Sequence, residues 1–442
     1  KHDLMFHNKA LFALLIPIVV EQLLNSFMGM VDTMMVSNLG SQAISGVSLV
    51  DSVNNLIVQL FSAMATGAAI ICSHYIGMRN KDGANKAARQ VVLTVMAISL
   101  AITILGLIFR RPLLTLIFGH VEQEVMDNAV DYFLFTALSY PFLALFSAGS
   151  AIFRSCGNSR YPMMVSVISN VFNIGGNALL MFVFKLGVSG AAISTLVSRV
   201  FCMVVIFIAL SKPKLDIVVK DYVAIRPDFG LIKSILAIGV PSGIENSMFQ
   251  FGKLAIQSTV STLGTAAIAA QAMTNILENV NGIFGIGVGM CLMTVVGQTL
   301  GAGRKEEAKY YIVKLAGIAE LGIIASCLLV YAFVGPITRL GGMEPDSARM
   351  CIEMVGAITI VKPLVWVLSF VPAYGMRAAG DVRFSMITSI ITMWGCRVAL
   401  SIVLIFDMGP MGVWYGMFAD WTIRGIIFTT RFFSGRWVKK VI

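Results

Sequence analysis

Apolar residues run in long blocks along this chain, without the strict alternation of half-buried strands or the narrow stripes of soluble helices. Blocks long enough to cross a bilayer lie near 11–35, 44–76, 91–109, 132–153, 163–184, 188–210, 232–260, 266–300, 311–334, 350–375, 385–406 and 411–433. A span needs about 20 residues, so the longer blocks must tilt or project beyond the hydrocarbon. Backbone groups in lipid have to be satisfied within their own segment, which makes each block a helix. The pattern predicts an all-α integral membrane protein with twelve transmembrane helices.

Basic residues between the blocks set the orientation. Of the 33 Lys and Arg, only Arg110, Arg111, Lys185, Arg339 and Arg349 fall in the loops of one side, and Arg199, Lys253, Lys362 and Arg397 lie within spans. The remainder sit on the other side, so both termini are expected in the cytoplasm of a plasma-membrane protein. The first block holds Glu21 and Asp32 and lacks a small-x-small cleavage site, so it reads as a retained helix and not a signal peptide.

Composition agrees with this picture. The chain of 442 residues is 57% hydrophobic and 13% charged, where a soluble domain carries about a quarter charged residues. The net charge of +10 is spread over short loops and is not a nucleic-acid surface. The 26 methionines suit a soft, shape-tolerant binding surface as well as packing. The cysteines form no CxxC pair, and the histidines (His2, His7, His74 and His120) make neither a metal motif nor a relay.

A shift of 224 residues superposes the sequence on itself. Pro17 falls on Pro241, Glu21 on Glu245, Asn55 on Asn279, Gly77 on Gly301 and Lys81 on Lys305. Arg154-x-x-Gly157-x-x-Arg160 is echoed by Arg377-x-x-Gly380-x-x-Arg383. Six crossings per half give both halves the same orientation, hence two parallel six-helix lobes around a central cleft. The lobes are expected at 1–210 and 232–442, joined by a cytoplasmic linker at 211–231.

Ionisable groups inside spans are costly and mark function. Asp32 lies late in the first helix, and Glu21 sits three turns earlier on the same side. Asn170, Asn173 and Asn177 form one stripe on the fifth helix, and Thr195 lies inside the sixth. In the second half, Glu245 and Lys253 share a face of the seventh helix and Glu278 lies on the eighth. Glu21, Glu245, Lys253 and Glu278 are candidates for the cleft, although Glu245 and Lys253 could simply pair with each other. Glu320, Lys362, Arg397 and Arg199 read as internal counterions, and Asp420 with Arg424 as an i, i+4 pair. Pro17, Pro241, Pro141 and Pro363 predict kinks.

The ordered runs Val31-Asp32-Thr33, Asn38-Leu39-Gly40, Gly187-Val188-Ser189-Gly190-Ala191-Ala192, Val296-Gly297-Gln298, Gly301-Ala302-Gly303 and Arg377-Ala378-Ala379-Gly380-Asp381 resemble the multidrug and toxic compound extrusion (MATE) family over essentially the whole chain. The resemblance implies export of organic, often cationic and amphipathic compounds, driven by inward flow of H+ or Na+. It also implies a cation site from Asp32, Asn173, Asn177 and Thr195, completed by the carbonyl of Ala191. These are oxygen donors, as a hard cation needs. Where some members carry a second acid this chain has Asn177, and burial of a lone carboxyl favours its neutral form, which tilts the expectation toward protons. Another branch's acid in the tenth helix has no counterpart around Trp366 and Ser369. The expectation is a monomeric rocker-switch antiporter with small-molecule substrates and lipid contacts, no cofactor beyond a possible Na+, and no enzymatic role. The alternative is a flippase for lipid-linked sugars of the same superfamily.

Overall fold

In a computed structural model, residues 4–118, 121–212, 217 and 226–439 are described. Among them there is no strand. The first half runs α1 (Asn8–Ser37), α2 (Ser41–Gly77), α3 (Lys81–Ile108), α4 (Arg110–Phe118), α5 (Gln123–Leu138), α6 (Tyr140–Ser155), α7 (Arg160–Asn177) and α8 (Val188–Leu210). The second runs α9 (Phe229–Val260), α10 (Thr265–Gly301), α11 (Lys305–Leu340), α12 (Pro345–Ala378), α13 (Val382–Ile390), α14 (Ala399–Met408) and α15 (Met411–Ser434).

Nine of these spans, counted over described residues and with α13 and α14 running as one, are long and apolar enough to cross a membrane, and the bent pair α5–α6 makes ten. The other two long helices, α9 and α15, carry Glu245 with Lys253 and Asp420 with Arg424. All twelve expected spans are thus helical. The short α4 occupies a stretch that the sequence left as loop.

The fourth span is broken at Ser139, two residues before Pro141. Its two pieces meet at 43°. Proline cannot donate to the ladder and restricts the residue before it, and the Ser139 hydroxyl fills part of the gap by donating to Thr136 O at 2.5 Å. Pro17, Pro241 and Pro363 instead lie inside continuous α1, α9 and α12.

Each half carries a π-helical stretch in its fifth span: Ala178–Val183 follows α7, and Ile391–Val398 joins α13 to α14. The sixth span packs hard against the fifth. A Cβ on Gly190 would lie 2.9 Å from the Leu180 carbonyl carbon, and one on Gly412 would lie 2.7 Å from that of Leu404. The turn after the second helix is left-handed in both halves, at Arg79 (φ 58) and at Gly303 (φ 77).

The chain clusters into two compact units, one of Asn8–Gly243 and one of Ile244–Ile442 together with Lys1–His7. The second unit owns the amino-terminal residues because they are tied to α11. Met5 N donates to Glu307 Oε1 at 2.6 Å and Phe6 N to the Tyr311 hydroxyl at 2.7 Å. That hydroxyl donates back to Phe6 O at 2.9 Å. Most of the expected linker, including Pro213 and Lys214, lies outside the described residues. Its end is anchored in the first unit, where Gln90 Nε2 donates to Arg226 O at 2.8 Å and Lys86 pairs with Asp228 at 3.0 Å.

Candidate functional site

In the first unit α1 packs on α7 and α7 on α8, which gathers the expected cation-site residues on three neighbouring helices. Asn177, the last residue of α7, donates its amide Nδ2 to Asp32 Oδ1. Asn177 is fully buried, and its Oδ1 has no hydrogen-bond partner. One turn earlier, the Ser194 hydroxyl lies 2.9 Å from both the backbone O and the Oδ1 of Asn173. Thr195 Oγ1 donates to Ala191 O at 3.1 Å. Asp32 and Asn177 are in direct contact, while Asn173 and Thr195 are held by partners on or within α8.

The sequence reading missed Asp51 and the tyrosines beside this group, and it had Arg199 as an internal counterion. Asp51 on α2 accepts from the Tyr132 hydroxyl at 3.3 Å, and its charge acts on that of Asp32. The guanidinium of Arg199 acts on both carboxylates and donates to Ser139 Oγ at 2.5 Å, at the break of the fourth span. The Tyr140 hydroxyl donates to Asn54 Oδ1. Asp51 lies inside the second apolar block, so the rule that singled out Asp32 would also have found it.

Glu21 does not join this group. It is 5% exposed, and its carboxylate lies 3.9 Å from Arg154 of α6. A pair this enclosed reads as internal to the lobe.

The second unit corrects one expectation. Glu245 does not pair with Lys253; it accepts from Ser385 at 3.1 Å and from Ser389 at 2.6 Å. Ser389 in turn accepts from Arg424 Nη1 at 2.9 Å, and Arg424 lies 3.6 Å from Asp420. The reason is helix geometry: residues eight apart share a face but are two turns distant, and the serines of α13 lie nearer. Glu278 is taken by the fully buried Lys362, 2.8 Å from its Nζ. Lys362 also donates to Glu278 O at 3.0 Å and Asn281 Oδ1 at 2.5 Å and lies over the Trp366 ring.

The Lys253 side chain is exposed. On α9 the apolar side chains Val240, Ile244, Phe251 and Leu254 make one exposed stripe. Asn246, Gln250, Lys253 and Gln257 make another, polar stripe at i, i+4, i+7 and i+11. The first suits lipid; the second suits water. Lys253 Nζ lies 4.8 Å from the centre of the Phe249 ring, and the guanidinium of the buried Arg397 lies 5.3 Å from the same centre.

Comparison with known proteins follows the repeat. The MatE family model matches residues 17–179 and again 241–403, which covers most of the chain. The chain belongs to the MatE family. Among its MatE relatives, the uncharacterized transporter YisQ of Bacillus subtilis is 28% identical over 98% of this chain and 95% of its own. The probable multidrug resistance protein NorM of Thermotoga maritima is 26% identical over 98% and 94%. An outward-facing multidrug resistance MATE family transporter of the MOP superfamily superposes with a TM-score of 0.90 at 20% identity, covering 96% of both chains. So low an identity carries the fold alone. MatE membership makes the chain a multi-pass membrane transporter and not an enzyme.

Proposed function

We propose that this MatE protein is a cation-coupled antiporter that exports organic amphipathic compounds across the plasma membrane, as a monomer with both termini in the cytoplasm. Its two lobes, 1–210 and 232–442, rock about the cleft, and Asp32 is the carboxylate that exchanges the coupling ion. The observation that carries this reading is the Asp32–Asn177 contact with a buried amide oxygen left unpartnered. A buried polar atom without a partner is unfavourable unless something arrives to satisfy it.

The donor set fits either ion. Asp32, Asn173, Asn177, Thr195 and the Ala191 carbonyl offer the oxygens that Na+ requires. Asp32 and Asp51 share this region with Arg199. Their formal charges leave room for one monovalent cation, H+ or Na+, per cycle. Cationic substrates fit the same balance, because an unneutralised carboxylate attracts them while apolar walls tolerate variable shapes.

The test is efflux from proteoliposomes with pH and Na+ gradients imposed separately. Asp32→Asn is nearly isosteric but cannot ionise, so it should insert normally, keep drug binding and lose gradient-driven efflux. Coupled transport at the wild-type rate by Asp32→Asn would remove this residue from the mechanism. The response to each gradient alone assigns the ion.

A further inference from the structure

We propose that Lys253 and Arg397 form a binding site for an anionic group, a carboxylate or a phosphate, carried by the transported compound. The proposal rests on the reading above that the protein moves small organic molecules, and it adds a charge requirement to the substrate.

Two cations share the Phe249 ring. A cation over an aromatic face is favourable, but two like charges against one ring repel unless an anion lies near. The nearby acids each face another group more closely: Glu245 accepts from Ser385 and Ser389, Glu278 pairs with Lys362 at 2.8 Å, and Asp420 lies 3.6 Å from Arg424. Among the described residues, no carboxylate lies within 4.0 Å of Lys253 or Arg397. Arg397 is 4% exposed, and its Nε has no hydrogen-bond partner.

Lys253 is the exposed member of this cluster, and it stands on the polar stripe of α9, not on the apolar one. Within a membrane helix an ammonium and a guanidinium gathered at one ring attract an anion, because the protein and lipid around them screen charge less than bulk water does. Arg397 presents a planar fork suited to carboxylate or phosphate oxygens, and Lys253 a mobile point charge. The repeat strengthens the case. Arg397 occupies the position of Asn173 and Ile256 that of Asp32 under the 224-residue shift. Where the first lobe gathers oxygen donors, the second presents cations.

Binding to detergent-purified full-length protein tests this with two matched pairs of fluorescent probes. Rhodamine B and its ethyl ester differ by a free carboxylate; riboflavin 5′-phosphate and riboflavin differ by a phosphate. Wild type should bind the acid form better in at least one pair, and which pair does so tells carboxylate from phosphate. Lys253→Gln should weaken the acid form by about tenfold or more while leaving its neutralised mate unchanged. Lys253→Arg should keep the preference. The ratio within a pair is insensitive to any loss of folded protein. No preference for the acid form in either pair, or an equal effect of Lys253→Gln on both mates, overturns the proposal. Binding in detergent needs no gradient, so a failure of coupling leaves this result intact, and the converse also holds.

Discussion

The two lobes repeat each other's helices but set different charges at matched positions. Asn54 and Glu278 are repeat mates, and each joins the second span to the fourth: Asn54 through the neutral Tyr140, Glu278 through the ion pair with Lys362. Asp32, Asn173, Asn177, Ala191 and Thr195 have as mates Ile256, Arg397, Ser401, Val413 and Met417, with the shift falling from 224 to 222 before the sixth span. Contacts support this register. Ser194 touches the carbonyl of Asn173, and a Cβ on its mate Gly416 would lie 2.9 Å from that of Arg397. Ile256 and Val413 belong to an apolar cluster with Val260, Met393, Val398 and Ile405. Helix packing is kept in both copies, while a few side chains differ: the first copy sets oxygen-bearing side chains at these positions, and the second sets hydrocarbon and a guanidinium.

The largest asymmetry should appear when the mates Asp32 and Ile256 are both made Asn. Asp32→Asn should reduce driven efflux to the passive leak with little loss of stability. Ile256→Asn should leave coupling in place but cost about 3 kcal/mol, since it buries an amide in an apolar cluster and removes packing. Efflux and thermal unfolding on both variants separate the outcomes. Equal loss of coupling from both would mean that the two pockets act as one.

A second contrast concerns the buried pairs. Glu278→Gln strands the enclosed Lys362 and should destabilise by roughly 3–5 kcal/mol. Glu21→Gln loosens a contact already at 3.9 Å and should cost clearly less. Glu278→Gln combined with Lys362→Met should recover much of the loss. Unfolding midpoints in one detergent decide the order, and a larger effect at Glu21 would refute it.

The smallest effect is in the backbone. Arg79 adopts the left-handed conformation that its mate Gly303 takes freely. Arg79→Gly should therefore stabilise by about 1 kcal/mol and Gly303→Arg should destabilise by a similar amount. A loss of stability with Arg79→Gly would show that the arginine side chain holds the turn.

The spans and the repeat were legible in the sequence because apolar length and a fixed offset are properties of the chain itself. The Asp32–Asn177 contact was legible through the family resemblance, not through spacing. Spacing failed at Glu245: it reported which face of α9 the carboxylate occupies, while its partners Ser385 and Ser389 come from a helix 140 residues away. The π-helical stretches left no mark, because Ala178–Val183 and Ile391–Val398 are as apolar as ordinary helix. The break at Ser139 was readable from Pro141, but its hydrogen bond to Arg199 was not, since that again depends on which helices become neighbours.

The strap at the amino end has a consequence for biosynthesis. Met5 and Phe6 bond to groups 302 and 305 residues further along the chain. On the ribosome they must wait, unpaired, through the making of the whole first lobe and the helices that follow, until α11 emerges. Closure of the strap is thus a signal that synthesis has passed this point. A disulfide engineered between positions 5 and 307 would form only in chains extended beyond position 307, and its appearance in staged translation products would time the event.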